Sequence, residues 1–191
     1  MTNESYKNKL YAINTMLEHI NEYPIDTLED LNAVLEAQRA SSVLDEITTD
    51  VLAEEWDINT DDDWEMSPNA DGIIGIPSNV LDIASTNGDS IMRDWKLYSR
   101  NNKSYIYSEP VTCRVVWNLD FNNLTYPIRK YITIRASRIF AKRYIGDTKQ
   151  YDMTSDEEIQ ARISARQSEN RTGKYSWRSG IETAFSRTST L

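Results

Sequence analysis

The chain has 191 residues and a mass of 22.1 kDa, with 39% apolar and 27% charged residues. This composition is typical of a folded globular protein and is too apolar for a disordered one. A single cysteine excludes an internal disulfide, and one cysteine with one histidine cannot supply the four ligands of a structural zinc site. The sequence shows neither the apolar core of a signal peptide nor a membrane-length apolar run, which predicts a protein made in the cytoplasm without a membrane anchor.

Charge is divided unevenly along the chain. The net charge is −9, but the first 90 residues contain 20 acidic and 3 basic side chains, whereas the remaining residues contain 10 acidic and 18 basic side chains. Two regions of opposite sign favour head-to-tail association of identical copies or the binding of a charged partner. They are equally compatible with solvated surfaces that neutralise each other within one fold, and composition alone leaves both alternatives open.

Two helices are predicted in the first third of the chain. Apolar residues recur at steps of three and four from Tyr6 to Ile20. This helix should end before Pro24, because the residue preceding a proline avoids the helical region. Thr27 is a candidate N-cap for a second, long helix that reaches Trp56, with a candidate break at residues 40–42.

The middle of the chain predicts a small antiparallel sheet. It follows an acidic stretch, 57–71, which the sequence predicts to be irregular. Asn87-Gly88 is a strong hairpin signal, since both residues tolerate the backbone conformation of a tight turn. The clearest strand begins at Val111, where apolar residues alternate with mostly polar ones. The expected strands are 72–77, 80–84, 91–98, 105–107 and 111–119.

Helical spacing returns after residue 122. Pro127 fits the first turn of a third helix, which should stop at Gly146. A fourth helix should run from Thr154 or Ser155 towards residue 170, with a thin apolar face formed by Ile159 and Ile163. The buried face of the third helix should consist of Ile128, Tyr131, Ile132, Ile139 and Phe140.

These elements predict an α+β protein with a helical bundle of two helix pairs, an inserted small antiparallel β-domain and an extended C-terminal tail. The bundle is assigned to residues 1–56 and 122–172, the β-rich insert to 57–121 and the tail to 173–191. The tail is basic and rich in serine and threonine but contains aromatic residues. We therefore expect it to fold on contact with a partner.

A search for catalytic and metal-binding motifs identifies none that is specific. The run that begins at Asp57 starts like a calcium loop, but Asp62 stands where the sharp turn needs glycine and Pro68 where a bidentate glutamate is needed. His19 has no second histidine beside it, and Cys113 lies on the inward parity of its strand, as a small buried apolar residue would. We predict no enzymatic activity, no cofactor and no metal.

The third helix has a basic surface that allows two interpretations. Contacts between subunits are the preferred one, and a nucleic-acid-binding module is the alternative, which the acidic first half disfavours because it would repel phosphate. A hydrolase that uses the carboxylates of 57–65 is a third hypothesis. The arginines assigned to the subunit interface are Arg129, Arg135, Arg138 and Arg143.

Several segments, in order, resemble motifs of the tail tubular protein A family, the adaptor proteins of short-tailed phages. Residues 11–28 read YAINTMLEHINEYPIDTL and resemble the family opening AVN-x-hL-x-x-I-G-E-x-P-V-x-T-L, where h is apolar. Residues 55–60, EWDINT, are similar to G-W-x-F-N-x-E, and 72–77 with Leu81 are similar to the I-x-L-P strand. Residues 97–99, LYS, resemble h-Y-D. The best match is 124–138, LTYPIRKYITIRASR, with 143–146, RYIG.

The resemblance covers about residues 8–147, with three departures from the family pattern. Glu22-Tyr23 stands beside the expected Gly-Glu, Glu55 replaces the glycine before Trp56, and Ser99 replaces an aspartate. These departures concern local turn geometry. The motif positions assigned a structural role are Asn14, Pro24, Trp56, Pro77, Tyr98, Pro127, Tyr131, Ala136 and Gly146.

The resemblance implies a structural protein of the virion tail, assembled as a dodecameric ring between the portal and the nozzle, tail tubular protein B. Tail fibres would attach around this junction, and DNA would pass through the lumen without specific binding. An acidic net charge suits such a conduit, because it disfavours tight binding to phosphate. The tail is assigned to portal docking through Lys174, Tyr175, Trp177, Arg178, Ile181 and Phe185.

Overall fold

The computed structural model describes residues 8–145 and 155–169. The chain divides into two compact units, one drawn from Met1–Ile47 and Phe121–Leu191 and the other formed by Thr48–Asp120. The α+β class is confirmed, since both helices and an antiparallel sheet are present. The domain boundaries and the arrangement as two helix pairs stay predictions, and the C-terminal tail and Gly146 lie outside the described residues.

The first unit begins with helix α1, Lys9–Glu18, in the predicted position. Its N-cap is Asn8, whose Oδ1 accepts a hydrogen bond from the backbone N–H of Tyr11 at 3.0 Å. Thr27 starts a short 3-10 helix, Leu28–Asn32, and its backbone N–H donates to the Asp30 carboxylate at 2.9 Å. Thr27 is therefore a cap, but of this short helix rather than of the long one.

Helix α2 spans Leu35–Leu52 without interruption, so the candidate break at 40–42 is wrong. Ala40 is buried and packs into the core. The hydroxyl of Ser42 donates to the carbonyl oxygen of Gln38 at 3.0 Å, four residues earlier in the same helix. This local bond satisfies the serine without disturbing the helix.

Helices α3, Tyr126–Ile145, and α4, residues 155–169, complete the described part of this unit, and α1 packs against α3. Phe140 and Tyr131 are buried as predicted, whereas Ile139 is only half-buried. The main buried residues of α1, α2 and α3 are Ala12, Ile13, Met16, Leu17, Ala37, Leu44, Ile128, Tyr131, Ile132, Ala136 and Phe140.

The buried face of α4 differs from the prediction. Ile159 and Ile163 are 52% and 45% exposed, whereas Ala161 and Ala165 are 5% and 0% exposed. Ala161 and Ala165 lie one turn apart on the same face of the helix. Small side chains let a helix approach its neighbours closely, so the contact face is set by alanines that the hydrophobic pattern did not single out.

The second unit contains a five-stranded antiparallel sheet in the order β1-β5-β2-β3-β4. The turn at Asn87-Gly88 joins β2 to β3 as predicted, with Gly88 at a φ of +73°. One face of the sheet covers a core that includes Met66, Ile74, Ile83, Leu97, Cys113 and Val115. The strands are β1, Thr60–Met66; β2, Val80–Ser85; β3, Ser90–Arg93; β4, Lys96–Ser99; and β5, Val111–Trp117.

Three features of the sheet correct the sequence-based prediction. The acidic stretch contains strand β1, which pairs with β5 and has an irregularity between Asp61 and Trp64. The single strand expected at 91–98 is a hairpin that turns at Asp94-Trp95. The segments 72–77 and 105–107 form isolated bridges rather than strands, among them Ile73 with Ile106.

Candidate functional site

The side chain of Asn14 in helix α1 binds the backbone of Ile25, the residue after Pro24. Its amide Nδ2 donates to the carbonyl oxygen of Ile25 at 2.9 Å, and its Oδ1 accepts from the N–H of Ile25 at 2.9 Å. The side chain thus binds both polar groups of one peptide residue, as a neighbouring strand would. Pro24 itself is exposed, so it shapes the backbone rather than the core.

The turn between α1 and Pro24 explains one departure from the family pattern. Asn21 has a φ of +58°, in the left-handed region that favours glycine and tolerates asparagine. The glycine of I-G-E-x-P therefore corresponds to Asn21, and Glu22 matches the family glutamate. Placing the departure at Glu22-Tyr23 was wrong by one residue.

Trp56 ends helix α2 together with Asn59, and both are 1% exposed. The indole Nε1 donates to the carbonyl oxygen of Val51 at 2.6 Å, and Asn59 Nδ2 donates to that of Leu52 at 3.0 Å. Asn59 Nδ2 also donates to the carbonyl oxygen of Trp117 in β5 at 2.7 Å. These bonds add to the backbone hydrogen bonds that Val51 and Leu52 accept from Glu54 and Glu55, and they connect the end of the helix to the sheet.

Glu55, the second departure, has a φ of +59°. The motif that residues 55–60 resemble has a glycine here, and glycine would adopt this left-handed conformation without strain. The Glu55 carboxylate accepts a hydrogen bond from Arg114 Nη1 at 2.8 Å, and Arg114 Nε donates to Asp62 at 3.0 Å. The Glu55 carboxylate raises the pKa of the Arg114 guanidinium, chiefly through this hydrogen bond.

Tyr98 and Ser99 stabilise the end of the sheet that contains β4. The Tyr98 ring lies edge-on to Tyr105, with centroids 5.0 Å apart, and the Arg93 guanidinium lies 4.0 Å from its centroid. The buried hydroxyl of Ser99 donates to Asp89 at 2.8 Å, so serine closes this turn where the family has an acid. Pro77 is exposed, and its carbonyl oxygen accepts from the N–H of Val80 at 3.1 Å.

The motif residues of α3 line the interior of the first unit. Pro127 lies in the first turn, where a missing N–H costs nothing, and Ala136 is fully buried. Tyr131 is 1% exposed, and its hydroxyl accepts a hydrogen bond from Arg135 Nη1 at 2.9 Å. Arg135, one of the four predicted interface arginines, therefore contacts a buried residue of its own chain.

The other interface arginines also have partners within the chain. Arg138 Nε donates to the carboxylate of Glu158 in α4, and the two side chains are only 14% and 15% exposed. Arg143 forms two hydrogen bonds with Glu46, of 2.6 and 2.8 Å, which lower the pKa of that carboxyl. Arg129 Nη1 lies 3.5 Å from the carbonyl oxygen of Asn122. Their role at a subunit interface stays a prediction.

A cavity of about 460 Å³ lies among α1, α3 and α4. His19 lines it, and its Nδ1 lies 2.7 Å from the carbonyl oxygen of Thr15 at the end of α1. The lining residues are Thr15, His19, Pro127, Lys130, Ile134, Ser137, Asp156, Glu157, Gln160, Ala161 and Ser164.

Cys113 is fully buried, as its position on the strand predicted, and burial raises the pKa of its thiol to about 11. Such a thiol is a poor nucleophile at neutral pH. Among residues 8–145 and 155–169, no three histidine, cysteine or acidic side chains are grouped as metal ligands. No helix within the same residues combines the length and apolar character needed to cross a bilayer.

Comparison with known proteins assigns the family. The model of the tail tubular protein family matches residues 10–175. The chain belongs to the tail tubular protein family. Tail tubular protein A of Klebsiella phage KP34 is similar to it, with 31% identity over 85 residues, which are 44% of this chain and 44% of that protein. Membership indicates a structural component of the phage tail.

Two residues with clear structural roles were missed as candidates by sequence reasoning. Asn59 lies within the quoted tail tubular motif, but its conversion into a buried helix cap depends on β5, which is distant in sequence. Glu158 was not singled out as a candidate, although it binds Arg138. A carboxylate in a helix with so few large apolar residues was the available clue. The tail residues assigned to portal docking lie outside the described part of the chain.

Proposed function

We propose that this tail tubular protein is the adaptor that joins the portal to the tail nozzle, as a dodecameric ring through which DNA leaves the capsid. The proposal rests on one observation, the family match over residues 10–175. The same ring would provide the attachment site for tail fibres. Its likeness to tail tubular protein A of phage KP34 supports the choice of this member of the tail assembly.

The local geometry of the family motifs supports a rigid building block. Asn14 binds the Ile25 peptide, and Trp56 with Asn59 ends α2 against β5, so the motif residues hold together segments that are distant in sequence. Side chains with such contacts stabilise the fold rather than take part in a reaction. A subunit whose loops are held by buried hydrogen bonds is suited to repeated packing in a ring.

The charge of the chain supports passage of DNA without tight binding. The net charge is −9, and phosphate affinity depends on unpaired basic side chains. On α3, Arg138 and Arg143 already bind carboxylates of the same chain. The alternative, a nucleic-acid-binding module, would have to break these ion pairs, and it is therefore the weaker proposal.

The experiment is a measurement of assembly. The purified chain is studied by native mass spectrometry and negative-stain electron microscopy, alone and mixed with the portal of the same phage. We expect rings that bind the portal, whether they form in solution or only on the portal surface. A chain that stays monomeric in both conditions would contradict the adaptor function.

A further inference from the structure

The sheet of the second unit has ends of opposite charge. Strand β1 lies at one end, and we define its acidic edge as Asp61, Asp62, Asp63, Trp64 and Glu65, all exposed. At the other end, the turn between β3 and β4 forms a basic tip, defined as Arg93, Asp94, Trp95 and Lys96, all exposed, in which two bases outnumber one acid. Four strand spacings of about 4.8 Å separate the two edge strands by about 19 Å.

The basic tip holds a tryptophan in an unfavourable backbone conformation. Asp94 and Trp95 have φ values of +53° and +56°, in a two-residue turn where glycine or asparagine is the usual choice. Trp95 is nevertheless 56% exposed, so burial of the indole does not account for its presence. A bulky exposed residue that is kept in a left-handed turn indicates a contact made outside the subunit.

The acidic edge also contains an exposed tryptophan, and its charges are opposite to those of the basic tip. Trp64 is 45% exposed and lies edge-on to Trp117, with ring centroids 5.3 Å apart. Asp63 and Glu65 flank it on the same strand. Its run of charges and the irregularity between Asp61 and Trp64 disfavour the addition of another strand to β1. A partner would therefore meet the side chains of this edge rather than its backbone.

We propose that the basic tip of one copy of this chain docks on the acidic edge of the next copy. Arg93 and Lys96 would approach Asp63 and Glu65, and Trp95 would pack beside Trp64, since tryptophan and arginine dominate the energetics of many interfaces. The occupant is a second copy because both complementary surfaces belong to the same small sheet. The proposal rests on the proposed function and specifies a contact that builds its ring.

Docking of one end on the other is a heterologous contact. Each copy then offers one tip and one edge, so the same contact repeats from copy to copy and generates a ring where the rotation between copies closes. A contact of like surfaces would instead join tip to tip or edge to edge, bringing charges of the same sign together. The charge pattern therefore selects the head-to-tail arrangement.

Paired charge reversals test the contact. The tip-reversed variant is Arg93→Glu with Lys96→Glu, and the edge-reversed variant is Asp63→Lys with Glu65→Lys. Each variant alone has like charges at its two ends, so we expect at least about a tenfold loss of association. A 1:1 mixture should restore assembly, with the two variants alternating, because each reversed surface then meets its complement.

Substitution of the tryptophan gives a second test. Trp95→Gly removes the indole and relieves the backbone, so we expect weaker ring formation without a lower melting temperature. Asp94→Gly is the matched control, since it also places glycine in the turn but keeps Trp95. Because this control also removes an acid from the basic tip, we expect it to assemble at least as well as the wild type.

Assembly is measured by native mass spectrometry and sedimentation, with and without portal. Wild-type rings together with unimpaired variants would overturn the tip-to-edge contact and leave the adaptor function intact. Failure of the mixture to recover, while each variant melts like the wild type, would also overturn the contact. A wild-type chain that stays monomeric in both conditions would overturn both proposals.

Discussion

At Glu55, an acidic residue adopts a backbone conformation that glycine adopts without strain. The Cβ of an L-residue in the left-handed region approaches the backbone too closely, at a cost of about 1 kcal/mol. The sequence showed that glutamate stands where the resembled motif has glycine, but it did not show the backbone conformation of this residue. The structure supplies the reason, because a left-handed residue turns the chain so that Trp56 enters the core.

Two substitutions at this position separate strain from the ion pair. Glu55→Gly and Glu55→Ala both remove the contact with Arg114, but only glycine relieves the backbone. We expect Glu55→Gly to exceed Glu55→Ala in free energy of unfolding by about 1 kcal/mol, measured by chemical denaturation. Equal stabilities would contradict the left-handed assignment.

The buried thiol of Cys113 should make the protein less stable at alkaline pH. Burial raises the pKa of the folded thiol from 9.0 to about 11, so the unfolded chain loses its proton first. The contribution of the protonated thiol to the free energy of unfolding is fully present below pH 9 and is lost as the pH rises from about 9 to about 11. The free energy of unfolding should fall in this window by up to about 1.4 kcal/mol per pH unit from this thiol.

The check is urea denaturation between pH 8 and 11, with Cys113→Ala as control. The alanine variant keeps the ionisations of tyrosines and lysines but lacks the thiol, so its stability should fall less steeply over the same window. Parallel curves for the two proteins would show that the folded thiol is not protected from ionisation.

At the scale of elements, the sequence predicted periodic segments well and charged or irregular ones poorly. Helix α1 and strand β5 were predicted because their apolar residues repeat at the period of their structure. Strand β1 was missed because four of its seven residues are acidic. Only pairing with β5, more than 40 residues later, makes this segment a strand, and no local pattern reports such pairing.

The hairpin at Asp94-Trp95 was missed for a different reason. Neither residue is a glycine or an asparagine, so the turn chemistry that revealed Asn87-Gly88 is absent. The face of α4 was misjudged because Ala161 and Ala165 are small. A hydrophobic pattern identifies a buried helix face by its large apolar side chains. Closely packed helices instead often bury small side chains, and this choice is visible only in the folded structure.

Glu158 should contribute strongly to the position of helix α4. Glu158 lies among few large apolar contacts and binds Arg138, with Arg135 Nε 3.9 Å away. Glu158→Ala would remove the carboxylate from Arg138, whose side chain is only 14% exposed, and should destabilise the unit by about 2–3 kcal/mol. Hydrogen exchange of the amides of 155–169 should accelerate strongly.

Glu157→Ala is the matched control, because its side chain is exposed on the neighbouring position of the same helix. It should change the free energy of unfolding by less than about 0.5 kcal/mol and leave the exchange of α4 unaltered. Similar effects of the two substitutions would mean that α4 is held by its alanines alone.

At the scale of the whole molecule, the uneven charge has a more specific meaning than two halves of opposite sign. The division by sequence placed acid first and base second. The structure shows that each unit combines both signs: in the first, basic residues of α3 bind acids of α2 and α4. In the second, acidic side chains predominate along β1, where Arg114 pairs with Asp62, and basic ones predominate at the turn between β3 and β4, which also contains Asp94. Much of the basic charge is therefore already paired within the subunit, and the sheet ends have the charge pattern that head-to-tail packing requires.

The C-terminal tail provides the last prediction. The family match ends at residue 175, so most of the segment assigned to portal docking, 174–191, lies beyond the region shared with the tail tubular family. It contains Trp177, Ile181 and Phe185, apolar residues that a short basic segment cannot bury by itself. Deletion of 174–191 should abolish co-assembly with the portal and leave the melting temperature unchanged.

The full-length chain with Trp177→Ala and Phe185→Ala is the companion variant, since it keeps the length and charge of the tail. It should also lose portal binding, measured by co-sedimentation, because the aromatic residues would supply the buried contacts. A truncated chain that assembles with the portal like the wild type would remove the tail from the docking surface. Portal binding would then have to be carried by residues outside 174–191.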